Sequence, residues 1–262
     1  MSAIILRSEI VHYEVLGRGR PVLFIHDWVG SWRYWIACMQ ASSVSYRAYA
    51  IDLWGFGDTA KKPEYYSLVQ QTSLLEEFTN ELGIGKIALV GHGLGAIVGL
   101  LYTARHPELV DRVMAISFPA SDSALSARLR TARPAELVEW LLARSPSTES
   151  VWSEASKIDP GAIITSIANL QNLDLPGLPS RIAAPLLFVH GANDPAVTAP
   201  DLDRLTTGLD NTHSILFDQS SHFPMLEETS MFNRLVLDFL SLSSGDSPRQ
   251  LQLKEEWKRR VR

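Results

Sequence analysis

The clearest chemical signal in the chain is a short glycine-rich turn with the sequence Gly91-His92-Gly93-Leu94-Gly95. A continuously apolar run at 87–90 precedes it, as expected of a strand buried on both faces, and apolar residues at helical spacing follow over 96–105. A strand, a tight turn and a helix present a catalytic serine in the pattern G-x-S-x-G. Here Gly93 stands at the serine position, so the pattern predicts a nucleophile-presenting turn without a nucleophile.

The conformation of this turn explains why glycine fits it. Its central residue has a positive φ, which costs a residue with a side chain on the order of 1–3 kcal/mol. Gly93 avoids most of that cost but has no oxygen with which to attack a carbonyl. A phosphate-binding loop is the alternative interpretation. It is disfavoured because the glycines are spaced by two and no Lys-Ser/Thr pair follows them.

The elements around the turn alternate between apolar strands and amphipathic helices, which predicts an α/β fold with a doubly wound, mostly parallel sheet. The predicted strands are 3–7, 10–15, 21–25, 46–51, 87–90, 110–117, 185–189 and 214–217, and the main predicted helices are 32–39, 68–82, 96–105 and 230–239. Residues 120–180 hold helical segments separated by Ser/Pro-rich loops, and we interpret them as an inserted helical cap. A linker to a second domain is the alternative, but about 60 residues is small for one. The predicted division is a core of 1–119 and 181–242, a cap of 120–180 and a polar tail of 243–262, within which 249–262 could form a basic helix.

Composition limits the classes of function. The 262 residues are 46% hydrophobic with a net charge of −5, which suits one large domain and gives no electrostatic reason to expect nucleic acid. No apolar run reaches the roughly 18 residues of a membrane span, and the N-terminus does not have the pattern of a signal peptide. The single cysteine, Cys38, excludes an internal disulfide. We expect a cytoplasmic protein without membrane or nucleic-acid partners.

Four segments, in order along the chain, resemble the α/β-hydrolase superfamily between about residues 8 and 242. They are His-Asp-Trp-Val-Gly-Ser at 26–31, Asp-Leu-Trp-Gly-Phe-Gly-Asp at 52–58, the turn at 91–95 and Gly-Ala-Asn-Asp at 191–194. The chain is most similar to the small, capped members that act as esterases and C–C hydrolases. The resemblance implies a sheet of about eight strands. It says little about substrate, because this fold hosts many functions.

The resemblance also implies an acid and a base. The family order is nucleophile, acid, histidine, which corresponds here to Gly93, Asp194 and His222. In such a pair the carboxylate orients the imidazole and the imidazole transfers a proton. Structural alternatives are a turn role for Asp194 before Pro195 and a backbone-bonded loop histidine at His222.

The family's oxyanion hole would be formed by the backbone N–H groups of Leu94 and Trp28. This loop departs from the family pattern, since His26-Asp27 stands where His-Gly is usual. A carboxylate would oppose a site that stabilises negative charge, so we expect Asp27 to turn outward. Serine at position 93 is then expected to be the only missing element.

Three functions remain open for a site without a nucleophile. The protein could bind a small ligand without covalent chemistry, His222 could act as general base on a water, or Gly93 could be an engineered replacement of serine. We favour a hydrolase-fold protein with at most residual hydrolytic activity, since loss of a triad serine costs about 10⁶-fold in turnover.

The expected ligand is a small apolar or aromatic molecule bound at the carboxyl ends of the strands, under the cap. Candidate lining residues are Trp28, Phe118, Trp140, Trp152 and Phe223, although core or cap packing is an equal alternative for each. The histidines have no metal-ligand spacing, and no cofactor motif is found, so neither metal nor cofactor is expected.

Overall fold

The computed structural model describes residues 2–201, 205–243 and 246–253. Their strands form one eight-stranded sheet in the order β1-β2-β4-β3-β5-β6-β7-β8. The strands are β1 Ser2–Leu6, β2 Glu9–Leu16, β3 Arg20–Ile25, β4 Tyr46–Ile51, β5 Ile87–His92, β6 Val110–Ile116, β7 Leu186–Gly191 and β8 Thr212–Phe217. β2 is antiparallel to its neighbours β1 and β4, and all other pairs are parallel.

Helices cover both faces of the sheet. They are α1 Ile36–Ser42, α2 Leu68–Glu81, α3 Leu94–Arg105, α4 Arg128–Thr131, α5 Pro134–Leu141, α6 Glu149–Glu154, α7 Pro160–Asn169, α8 Pro224–Glu227 and α9 Thr229–Ser241. α1 packs with α9, and α2 packs with α3. The predicted fold class, an eight-stranded and mostly parallel sheet between helices, is thereby confirmed.

The register of the parallel strands brings four loops to one edge of the sheet. Ile25 pairs with Gly91, Gly91 with Ala115, and Ile116 with Val189, so β3, β5, β6 and β7 all end at the same level. Parallel strands buried on both faces have apolar sequences, and β5 and β7 are buried along their whole length. The loops after these strands carry the candidate chemistry.

Some predicted boundaries differ from those in the structure. α3 begins at Leu94, two residues earlier than predicted, because the turn leads directly into the helix. The predicted helix over 32–39 is a 3₁₀ turn, Trp32–Trp35, followed by α1.

Residues 120–180 contain α4 to α7 and several 3₁₀ turns, and their status as a separate cap stays a prediction. Of the predicted basic helix over 249–262, the part from 254 onward lies outside the described residues. Among the described helices, none is both long and apolar enough to cross a bilayer.

Candidate functional site

Gly93 connects β5 to α3 in a conformation that disfavours any side chain. Its φ is 48° and its ψ is −106°, and it directly precedes the first residue of α3. The positive φ agrees with the strained turn that the sequence pattern predicts. The first turn of a helix leaves backbone N–H groups without intrahelical partners, and Gly93 has no side chain to accept from them.

Asp27 supplies the missing acceptor from the loop after β3. Its Oδ1 accepts a hydrogen bond of 2.9 Å from the Leu94 N–H, and the side chain is completely buried. A Cβ added at residue 93 would overlap this oxygen. The Asp27 carboxylate therefore fills the space that a serine side chain at position 93 would need.

The expectation that Asp27 turns outward is wrong. The positive end of the α3 dipole and a cationic neighbour, His222, hold the carboxylate inside. The expectation that serine is the only missing element is wrong for the same reason, since there is no room for it. The Leu94 N–H, predicted to serve an oxyanion hole, is already bonded to Asp27.

His222 lies between two carboxylates. Its Nδ1 is 2.8 Å from Asp194 Oδ2 and its Nε2 is 3.0 Å from Asp27 Oδ2, with all three side chains buried. Ionised carboxylates only accept hydrogen bonds, so both ring nitrogens must donate and the ring is an imidazolium. Burial opposes this charge, but the Asp194 carboxylate and the hydrogen bonds to Asp194 and Asp27 outweigh it and raise the pKa of His222 to about 10.

Asp194 is held in its ionised form by several donors. Burial favours the neutral acid, but the charge of His222 and hydrogen bonds from His222 and from the Val197 and Ala196 N–H groups lower the pKa of Asp194 to about 2. The Ser117 hydroxyl donates a further bond of 2.9 Å to Oδ2. Ser117 follows β6 with a φ of 47°, an unusual conformation for a residue with a side chain, and this directs its hydroxyl to the site.

Tyr34 and His92 form the layer below Asp27. The Tyr34 hydroxyl accepts a bond of 2.8 Å from the Asp27 N–H and lies 3.1 Å from His92 Nδ1, to which it can donate. Burial, and then the positive charge of His222, lower the pKa of His92 to about 3. The ring centres of His92 and His222 are 4.6 Å apart. The neutral His92 therefore packs against the charged His222.

Two groups of described residues have donors close enough for a metal ion. Asp27, His92 and His222 each place one ligand atom within 4.8 Å of the others, as do His12, Asp52 and Asp58. In the first group, Asp27 and His222 are already joined by a hydrogen bond, which engages an oxygen of Asp27 and a ring nitrogen of His222. The absence of a metal stays a prediction.

The structure places the predicted ligand-lining residues in different surroundings. Trp28 is buried and donates its indole N–H to Ser166 of α7 at 2.9 Å, and Phe223 packs against His222 with ring centres 5.0 Å apart. Phe118 packs on Phe188 of the core. Partly buried Trp140 and Trp152 carry the guanidinium groups of Arg128 and Arg144 over their rings. Among the contacts described, those of Trp140 and Trp152 do not reach Asp27 or His222.

Sequence reasoning missed two residues of the site, Tyr34 and Ser117, and predicted the wrong orientation for a third, Asp27. Tyr34 and Ser117 lie outside the motifs, and their sequence positions give no sign of what they contact. Asp27 did carry a signal, because it and Gly93 both depart from the family pattern, in loops after strands that pair directly. A carboxylate at the neighbouring strand end can occupy the space that glycine leaves empty at position 93.

Comparison with known proteins identifies the family and the fold of this chain. A family model described as alpha/beta hydrolase fold matches residues 20–158. The pimeloyl-(acyl-carrier protein) methyl ester esterase of Vibrio cholerae is 24% identical over 259 residues, covering 87% of this chain and 97% of that protein. The 2-hydroxy-6-oxo-6-(2'-aminophenyl)hexa-2,4-dienoic acid hydrolase of Metapseudomonas resinovorans is 24% identical, covering 87% of each chain. The crystal structure of the enol-lactonase from Burkholderia xenovorans LB400 superimposes with a TM-score of 0.79 at 19% identity, covering 92% of this chain and all of that one, which shows the fold alone.

Proposed function

Because the chain belongs to the alpha/beta hydrolase fold family, we propose that it binds a small, mainly apolar molecule without serine-type hydrolysis. The main support is the position of the Asp27 carboxylate, which occupies the space of a serine side chain at position 93 and accepts the hydrogen bond of the Leu94 N–H. Attack on an acyl group needs a nucleophile and a free oxyanion-hole donor. The site offers neither at this position, so acyl-ester turnover is residual at most.

The same geometry disfavours the water-based mechanism. A general base needs a ring nitrogen with a free lone pair, and both nitrogens of His222 donate to carboxylates. The geometry also argues against an engineered knock-out. A designed substitution of the nucleophile alters one residue, whereas here Asp27 and Gly93 fit each other.

A cavity supports ligand binding at this edge of the sheet. Its volume is about 350 Å³, and it lies between residues of the 120–180 segment and the segment that follows β7. Its described lining consists of Ala120, Pro176, Pro200, Asp201 and Leu205. Ligand sites of α/β sheets lie at the carboxyl ends of the strands, and the size suits a small molecule.

Two measurements test the proposal. Turnover of p-nitrophenyl acetate and butyrate by the protein should equal that of the His222→Ala variant, and faster turnover dependent on His222 would contradict it. Calorimetric titration with small aromatics such as indole and styrene should detect binding. Ala120→Phe, which fills the cavity, should weaken binding by at least about tenfold. The matched substitution at exposed Ala183, Ala183→Phe, should not.

A further inference from the structure

Positive charge is concentrated at the opposite edge of the sheet, where the parallel strands begin. The side chains that contribute are those of Arg20, the first residue of β3, Arg47 in β4, Lys86 just before β5, and Arg18 in the loop between β2 and β3. Within the described part of the chain these four form no ion pair, whereas most other lysines and arginines do. The length of β3 puts this edge roughly 20 Å from Asp27. It is therefore a separate, positively charged region of a chain whose net charge is −5.

A cavity of about 260 Å³ lies at this edge, and Arg20, Tyr46 and Lys86 contribute to its lining. Asp111 also lines it, but the Asp111 carboxylate accepts a hydrogen bond of 2.6 Å from the guanidinium of Arg112, which is buried. Arg112 therefore compensates the charge of Asp111. The charges of Arg20 and Lys86 remain in excess around the cavity, which favours an anionic ligand.

Arg20 is held in place but keeps unused donors. Its Nη2 donates to the Tyr46 hydroxyl at 3.1 Å and to the Leu240 carbonyl oxygen at 3.2 Å, and its guanidinium lies over the Tyr46 ring. A guanidinium has further N–H groups on Nε and Nη1, and these have no acceptor among the described residues. The Tyr46 hydroxyl accepts from Arg20, so its own proton also lacks a described acceptor, although the side chain is only 6% exposed. An oxyanion in the cavity would supply the acceptors that these donors lack.

We propose that this cavity binds a small organic acid, with its carboxylate at Arg20 and its apolar body inside. A carboxylate oxygen accepts from the guanidinium in a charge-assisted bond, and Lys86 adds a second positive charge. A singly charged anion fits better than a phosphate ester, because Asp111 would repel a second negative charge. The rest of the described lining, Pro21, Ala88 and Leu240, is apolar and suits a hydrocarbon group, and the volume suits a single ring. This site is independent of the ligand site proposed at the carboxyl ends of the strands.

Calorimetric titration with benzoate tests the site, and benzamide serves as the uncharged ligand of similar shape. We expect benzoate to bind, and benzamide to bind at least about tenfold more weakly. Arg20→Gln should weaken benzoate binding at least about tenfold, and Lys86→Gln about two- to fivefold because this side chain is exposed. The matched control is Arg47→Gln, which removes an exposed cation from the same edge but from the lining of a different cavity. It should leave the affinity for benzoate unchanged.

Several outcomes would overturn the carboxylate site. Equal affinities for benzoate and benzamide would do so, as would the absence of benzoate binding at millimolar concentrations. Equal losses in Arg47→Gln and Lys86→Gln would indicate diffuse attraction to the edge instead of a site. Ala120→Phe should leave benzoate binding intact, and its loss there would place benzoate in the other cavity, which overturns this inference and leaves the binding proposal standing. Lys86→Gln and the comparison with benzamide decide the matter even if Arg20→Gln fails to fold.

Discussion

A serine introduced at position 93 by itself should not create ester hydrolysis. In Gly93→Ser the new Cβ would overlap Asp27 Oδ1, and real Cβ atoms essentially never have a neighbour closer than 3.0 Å. The carboxylate would have to leave its bonds to the Leu94 N–H and to His222. Two charge-assisted bonds at about 1.5–3 kcal/mol each, together with backbone strain of about 1–3 kcal/mol, give a loss on the order of 5 kcal/mol. That is a large part of a typical stability of about 5–15 kcal/mol.

The double variant Asp27→Gly/Gly93→Ser removes the obstruction and the buried carboxylate together. The Leu94 N–H is then free to stabilise an oxyanion, and His222 has one carboxylate partner and a lone pair for the serine hydroxyl. We expect ester turnover at least about 10³-fold above that of the unmodified protein, within the roughly 10⁶-fold that a triad nucleophile contributes. The free energies of unfolding should be non-additive, with the double variant more stable than the sum of the two single changes predicts.

The assay is hydrolysis of p-nitrophenyl butyrate by the four proteins of this cycle, with chemical unfolding of each. Asp27→Gly alone should be inactive, because it supplies no nucleophile. Adding His222→Ala to the double variant should abolish its activity, which controls for contaminating esterases. If Gly93→Ser alone were as active and as stable as the double variant, Asp27 would not occupy the serine space and the reasoning would fail.

Three further results are expected. The pKa of His222 is raised from 6.5 to about 10, so this group contributes stability that is complete below pH 6.5 and lost toward pH 10. The pKa of Asp194 is lowered from 3.8 to about 2, so this group contributes stability that is complete above pH 3.8 and lost toward pH 2. The contribution of this cluster to the free energy of unfolding should therefore be largest between pH 3.8 and 6.5. In Asp27→Asn the free energy of unfolding should decline less above pH 6.5. Ser117→Ala should cost about 1–2 kcal/mol by removing the bond to Asp194, and Ser117→Gly should cost less because glycine relieves the positive φ; equal losses in chemical unfolding would contradict this. Ser166→Ala, which removes the acceptor of the Trp28 indole N–H with little change in volume, should cost about 1 kcal/mol in thermal unfolding, and no loss would mean that the bond contributes nothing.

The sequence predicted the sheet because its signals are local. Apolar runs such as those of β5 and β7 indicate buried parallel strands by themselves, and the glycine pattern at 91–95 indicates the turn. The order of the motifs along the chain also led to Asp194 and His222, which the structure brings to 2.8 Å. Their catalytic roles stay predictions.

The direction of the Asp27 side chain could not be predicted in the same way. It depends on the balance between burying a charge and the bonds that receive it, and those bonds come from Leu94 and His222, 67 and 195 residues away. The residue type alone indicates the cost of a carboxylate in an oxyanion site, whereas the partners that offset this cost become evident only in the folded chain. The role of Ser117 depends on a positive φ, which cannot be predicted from its residue type.

The Asp27 carboxylate lies in the space of a serine side chain at position 93 and holds His222 as an imidazolium. Nitrogen NMR of the protein with ¹⁵N-labelled histidine measures this directly, with His222 assigned through the His222→Gln variant. We predict that both ring nitrogens of His222 carry protons from pH 6 to 8, and that Asp27→Asn lowers the pKa of the ring. A ring that loses its Nε2 proton near pH 6.5 and is unaffected by Asp27→Asn would contradict the claim.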